Sequence, residues 1–312
     1  MNWLEHTRTC ATSPAEIDLT DRTYYIPCFN GQESLASSIK HVGILNNPVV
    51  QERPCGRLIP VIGRRRLQAA SQLGMALIEV RVISASMPEE DGFLMAFWDN
   101  ACHRRFDPAC TAVVVKRLLE LYPRDVMAKQ FLPILGVPPR GPRLEQLKAL
   151  GSLEETVLQA VALGRIHEKT AFLMSQLQPH ERTGLLEFTE SLGLNANKKA
   201  EVIERLIDLS IFHDRPVLEF VQTEDAQAAL ADQDTALPER ADRFRDLLRS
   251  WKFPELAKKE AEFRAWSETL PRSDRVSVRP ARSVEVERYD IEIKLDSRSD
   301  VEKLINKIKD EL

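Results

Sequence analysis

Three consecutive arginines, Arg64, Arg65 and Arg66, follow one glycine in the stretch "PVIGRRRLQAASQLG", residues 60–74. The preceding run "GRLIPVI" is short and rich in β-branched residues, as a strand requires, and the residues after it set Leu67 and Ala70 on one helical face. A helix that starts at Gly63 offers unpaired backbone N–H groups and the positive end of its dipole, to which guanidinium groups add charge. That chemistry is anion binding. Taken by itself, the same run is also compatible with a solvated helix end. Neighbouring helical side chains diverge by about 100°, so two arginines can face one anion while the third serves solvent or another group.

The elements that must hold this turn are legible on both sides of it. Over residues 26–85 the apolar residues Leu35, Ile39 and Val42 have helical spacing and end at Gly43, while "NPVVQE", "GRLIPVI" and "IEVRVIS" read as strands. From 109 to 220 the pattern becomes helix after helix, with one expected on "DVMAKQFLPIL" and others on "RLEQLKAL", "LEETVLQAVALG", "EKTAFLMSQL", "PHERTGLLEFTESLG" and "ANKKAEVIERLIDLS". Residues 221–239, poor in large apolar side chains, read as a loosely packed connector. Beyond 240, two charged helices meet at Pro254, and the strands "VSVRP" and "YDIEIKL" precede a helix with Val301, Leu304, Ile305 and Ile308 on one face. A ββα unit of that size cannot cover both its faces, which predicts a homodimer through it.

Composition excludes several classes. The 312 residues are 43% hydrophobic and 29% charged with a net charge of −4, so the chain can bury real cores, and any nucleic-acid binding needs a local basic patch. No apolar run is long enough to cross a bilayer, and the start "MNWLEHTRTC" lacks the features of a secretory leader, which predicts a cytoplasmic protein. Cys10, Cys28, Cys55, Cys102 and Cys110 form no C-x-x-C pair and are expected as reduced thiols. His103, His167 and His180 have no histidine neighbour at ligand spacing and read as surface residues.

The run "ESLASSIKHVGILNNPVV…RLIPVIGRRRLQAASQLGMALIEVRVI" resembles the N-terminal domain of ParB chromosome-partition proteins. In that family a helix ending in G-I/L-L precedes a strand, and a G-E-R-R-x-R-A box follows another. The box is Gly63 to Ala69 here, and "DNACHRRFDP", residues 99–108, is similar to the family's E-N-x-x-R-x-x-L-x-P segment. The resemblance implies an α+β multidomain chain: a small mixed α/β ParB/sulfiredoxin-like domain over 1–108, an all-helical domain with a helix-turn-helix over 109–220, a linker and charged helix over 221–252, and a C-terminal helix plus ββα dimerisation domain over 253–312. It further implies a dimeric, nucleoid-associated DNA-binding protein of chromosome or plasmid partition, or of transcription regulation, that binds CTP with Mg²⁺. Gly63, Arg64, Arg65, Arg66 and Asn100 are then the nucleotide-binding candidates, with Asn100 also the candidate Mg²⁺ ligand. Arg140, Arg143 and Lys148 around the expected helix-turn-helix, with Lys198 and Lys199 at a later helix start, are the DNA-binding candidates.

The sequence also departs from the family. The glutamate associated with hydrolysis is Arg64, which cannot position a water as a carboxylate does, so a CTPase activity is left open and no catalytic residue is assigned. The family's arginine in the second box is His103 and the acid after it is Arg104; Gln-Pro is replaced by Asn46-Asn47, which leaves the base open; and the helical domain's histidine is Thr170. The N-terminal tail lacks the basic peptide that engages a ParA-type ATPase. Two other readings fit these departures: a scaffold on the same fold without nucleotide turnover, and a nuclease or phosphotransferase acting on nucleotides.

Overall fold

The computed structural model describes residues 7–29, 32–232, 234–270, 275–280 and 289–311. Most of the tail considered for a ParA-type contact, residues 1–6, and the segment between the last two strands, 281–288, lie outside them. The chain forms two compact units, Met1–Glu204 and Arg205–Leu312.

The first unit opens on β1 (Thr7–Thr12), α1 (Gln32–Val42), β2 (Val49–Glu52), β3 (Leu58–Ile62), α2 (Arg64–Gln72), β4 (Ile78–Ile83) and α3 (Glu89–His103). The four strands make one sheet in the order β1-β4-β2-β3, with β4 parallel to β2 and antiparallel to β1. In β4 the burial alternates, Val80 and Val82 inside and Glu79 and Arg81 outside, because successive strand side chains point to opposite faces. The inner face meets α2: Ile17, Val50, Leu67, Ala70, Ile78, Val80 and Val82 form one cluster, with Leu67 fully buried. β1 was not expected, since "TRTCAT" has one buried residue and no apolar run.

Helices α4 (Pro108–Leu121), α5 (Arg124–Gln130), α6 (Leu132–Leu135), α7 (Arg143–Leu150), α8 (Glu155–Ala162), α9 (Glu168–Met174), α10 (Pro179–Ser191) and α11 (Ala196–His213) follow, the last running into the second unit. The single helix expected over 125–135 is two helices that break at Phe131, because Pro133 sits in the first turn of α6 and has no N–H to continue the ladder. The expected boundary at residue 108 falls at the start of α4, inside one compact unit. Phe97 of α3 packs edge-on against Phe131, their ring centres 5.3 Å apart, and Phe131 meets Tyr122 at 4.9 Å. Shared aromatic burial ties the sheet domain's last helix to the helical region.

The second unit adds α12 (Val217–Val221), α13 (Glu224–Ala231), α14 (Leu237–Lys252), α15 (Pro254–Thr269), β5 (Val276–Pro280), β6 (Tyr289–Ile293) and α16 (Arg298–Glu311). The expected connector over 221–239 is largely helical: Thr223 caps α13 through its hydroxyl, and Ala226 is buried, as are Ala241, Phe244 and Leu248 of α14. Alanine packs closely without the large side chains that a polarity reading looks for. β5 and β6 pair antiparallel from Val276 opposite Ile293 to Pro280 opposite Tyr289. Tyr289 stacks on Phe263 of α15 at 5.7 Å and meets Trp266 at 5.3 Å. Among the described residues no helix is long and apolar enough to cross a membrane.

Candidate anion site at the arginine box

β3 delivers the chain to Gly63, whose φ of +82° lies in the left-handed region, and α2 starts at the next residue. The turn opens into a cavity of about 250 Å³ lined by Tyr24, Cys28, Gly63, Arg64, Arg65, Arg66, Asp99, Asn100, His103 and Arg104, among others. The structure thus brings together two boxes that stand 36 positions apart from Gly63 to Asp99. It does so because α3 packs beside β3 and ends at the cavity.

Each guanidinium has a definite job. Arg64 donates from Nη1 to the Leu19 carbonyl at 2.6 Å and from Nη2 to the Asp21 carbonyl, and it lies 5.1 Å from the centre of the Tyr25 ring. It straps the 19–25 segment to the start of α2, and burial lowers its pKa from the ordinary arginine value. Arg65 meets the Cys28 sulfur, Nη1 to Sγ 3.4 Å. Arg66 donates to the Asn46 carbonyl and covers Gly63 so closely that a Cβ there would stand 2.7 Å from Nη2. Burial also lowers the Arg66 pKa, against which Asp99 acts as a countercharge.

Asn100 uses both ends of its amide. Its Nδ2 donates to the Ala96 carbonyl at 2.8 Å and its Oδ1 accepts from Arg104 Nε at 3.0 Å. Arg104 also donates from Nη2 to the Pro27 carbonyl at 2.7 Å and to Cys110 Sγ at 3.6 Å, and stands 5.3 Å over the Phe106 ring. Cys110 is fully buried, and desolvation pushes its thiol up to about 12, so it acts as a neutral packing group. His103 Nδ1 donates to the Asp99 carbonyl at 2.6 Å.

Sequence reasoning missed two wall residues, Tyr24 and Cys28. The Tyr24 hydroxyl donates to Gln51 Oε1 at 2.7 Å, and the buried Gln51 amide donates on to the Ser84 and Met87 carbonyls at 3.3 and 3.1 Å. The Tyr24 ring rests against Gly92, where a Cβ would come within 2.6 Å of it. Neither residue belongs to a motif, and their contacts lie 27 or more positions away, so nothing local signals them.

The cavity's donor set does not suit a divalent cation. Asp99 is the one carboxylate among the lining residues, and the Asn100 oxygen is already bonded to Arg104. Among the described residues no group of three His, Cys, Asp or Glu stands close enough to hold a metal. A hard cation needs oxygen ligands, and guanidinium groups are donors only.

The candidate DNA contacts scatter. Arg140 and Lys148 are exposed, on the turn before α7 and on α7 itself. Arg143 instead forms a two-pronged ion pair with Glu168 of α9, Nη2 to Oε2 3.1 Å. Lys198 is half-buried near the start of α11. Lys199, expected to reach phosphate, is only 6% exposed with Nζ 3.9 Å from Glu190, so it is a packed ion-pair member.

The ParB N-terminal domain family matches residues 30–101. No protein of curated function matches the chain. Similar solved structures include the C-terminally truncated chromosome-partitioning protein ParB from Caulobacter crescentus complexed with CTP-γ-S, at 16% identity over 58% of this chain and 97% of that one, with a TM-score of 0.25. The same Caulobacter crescentus protein complexed to the centromeric parS site matches at 15% identity over 63% and 99%, with a TM-score of 0.31. A Pnob8-like ParB-N domain matches at 15% identity over 78% and 97%, with a TM-score of 0.35. Such scores leave the assignment to the family match, which runs from α1 into α3 and takes in Gly63–Arg66, Asp99 and Asn100. Residues 30–101 are therefore similar to the ParB N-terminal domain, and the match is confined to that stretch.

Proposed function

We propose that this protein is a dimeric, DNA-binding member of the partition or transcription-regulating class whose arginine cavity binds a nucleotide, CTP being the first candidate. The observation that supports it most is the convergence of Gly63–Arg66 with Asp99–Arg104 in one cavity of a ParB N-terminal domain. Phosphates would sit over Gly63 and the first turn of α2, with Arg65 and Arg66 as charge-assisted donors. Arg66 would exchange the Asn46 carbonyl for a phosphate oxygen, a stronger acceptor. Arg64, committed to two backbone carbonyls, would hold the site's strap and take no part in hydrolysis.

DNA would meet the exposed Arg140 and Lys148 first. Dimerisation would cover Ile291, Ile293, Leu295, Val301, Ile305 and Ile308, all at least 37% exposed on β6, the turn after it and α16.

The test is equilibrium binding of CTP, ATP, GTP and UTP to the full chain, beside an Arg65→Ala, Arg66→Ala double variant checked for folding by circular dichroism. Selective binding of one nucleotide, lost in the variant, is the expected result. A folded protein that binds none of the four loses the nucleotide half of the proposal.

A further inference from the structure

We infer that the cavity takes its polyphosphate without a divalent cation, with Arg104 supplying the positive charge that a metal would otherwise bring. The inference rests on the nucleotide reading above and names the form of the ligand: the metal-free triphosphate.

The charge inventory of the cavity carries the argument. Arg64, Arg65, Arg66 and Arg104 line it against a single carboxylate, Asp99. The acceptors of Arg104 are an amide oxygen, a backbone carbonyl and a thiol that stays protonated. Those of Arg64 and Arg66 are backbone carbonyls. Neutral acceptors orient a guanidinium without cancelling its charge, so the cavity keeps a strong positive field. A triphosphate brings several negative charges and acceptor oxygens that match the guanidinium fork.

A magnesium ion has the opposite fit. It needs oxygen ligands in near-octahedral array, and the cavity offers one carboxylate and an amide oxygen held by Arg104. It would also stand among four guanidinium groups of like charge. Magnesium in solution therefore competes with the arginines for phosphate oxygens instead of bridging them to the protein.

The experiment is a calorimetric titration of the full chain with CTP and with inorganic triphosphate, each in EDTA and in excess Mg²⁺ at constant ionic strength. Binding in EDTA at least as tight as in Mg²⁺ is expected, with Mg²⁺ weakening it several-fold. An Arg104→Gln variant, which keeps hydrogen bonding but not charge, should lose about tenfold in EDTA, or 1.4 kcal/mol. If that variant fails to fold, the comparison of the two media on the unaltered protein decides. Binding that appears only with Mg²⁺, or is tenfold tighter with it, overturns this inference and leaves the nucleotide reading standing. A folded protein that binds neither ligand in either medium overturns both.

Discussion

The arginines of the cavity and the cations of the helical region differ in what holds them. In the cavity, Arg64, Arg66 and Arg104 are fixed by carbonyl and amide oxygens. In the helical region Arg143 faces Glu168, Arg165 faces Glu190 at 2.7 Å, and Arg182 lies on Glu154 through two bonds of 2.8 and 2.6 Å. Both groups are ordered, but Arg64, Arg66 and Arg104 hydrogen-bond neutral acceptors, whereas Arg143, Arg165 and Arg182 each face a carboxylate. A cation count along a sequence therefore says little about anion binding until the acceptors are known.

A matched pair of charge reversals separates the two groups of arginines. Arg65→Glu should cut triphosphate affinity by about 100-fold, with little change in melting temperature. Arg143→Glu should leave that affinity alone but destabilise the first unit by about 2–3 kcal/mol, because two carboxylates then face each other. Titration calorimetry and thermal melts on both proteins check the pair. If Arg65→Glu melts early and Arg143→Glu does not, the roles are reversed.

A smaller effect is expected at Glu154. Hydrogen bonding from Arg182 holds its carboxyl below the ordinary glutamate range. A carboxylate lowered in the folded state contributes stability that is present above its unfolded pKa and lost as pH falls through the folded one. Glu154→Gln should cost about 1–2 kcal/mol at neutral pH, and the difference from the parent should close as pH falls below the ordinary glutamate range and through the lowered folded one. Denaturant melts across that range provide the check. A difference that stays constant with pH would show that the pair contributes shape and not charge.

Smaller still are the effects on DNA binding. Arg140→Ala should weaken duplex binding a few-fold and reduce the slope of log affinity against log salt by about one. Lys199→Met should alter neither, since its ammonium is buried beside Glu190. Fluorescence anisotropy over a salt series separates the two. Last, saturating triphosphate should slow alkylation of Cys28, followed by mass spectrometry, because the thiol and Arg65 share the cavity wall.

What the sequence reveals tracks how local the cause is. The β3–Gly63–α2 turn is readable because a β-branched run, a glycine and a helical pattern stand side by side. The meeting of residues 63–66 with 99–104 came from resemblance alone, since sheet packing brings them together. Tyr24 and Cys28 were invisible for that reason as well. β1 escaped because hydrogen bonds to β4, not buried side chains, make it a strand. The helical connector escaped because buried alanine is small, and the fates of Arg143 and Lys199 depended on Glu168 and Glu190, which lie on other helices.

Gly92 leaves room on α3 for an aromatic ring from an earlier segment of the chain. With no methyl group there, the Tyr24 ring can settle against α3 while its hydroxyl reaches Gln51 in the sheet. One wall residue of the cavity is thereby seated against a glycine that does not line it. An added methyl at position 92 would push the ring inward or pull its hydroxyl off a buried amide, and either displacement would be felt by a bound phosphate that touches neither residue.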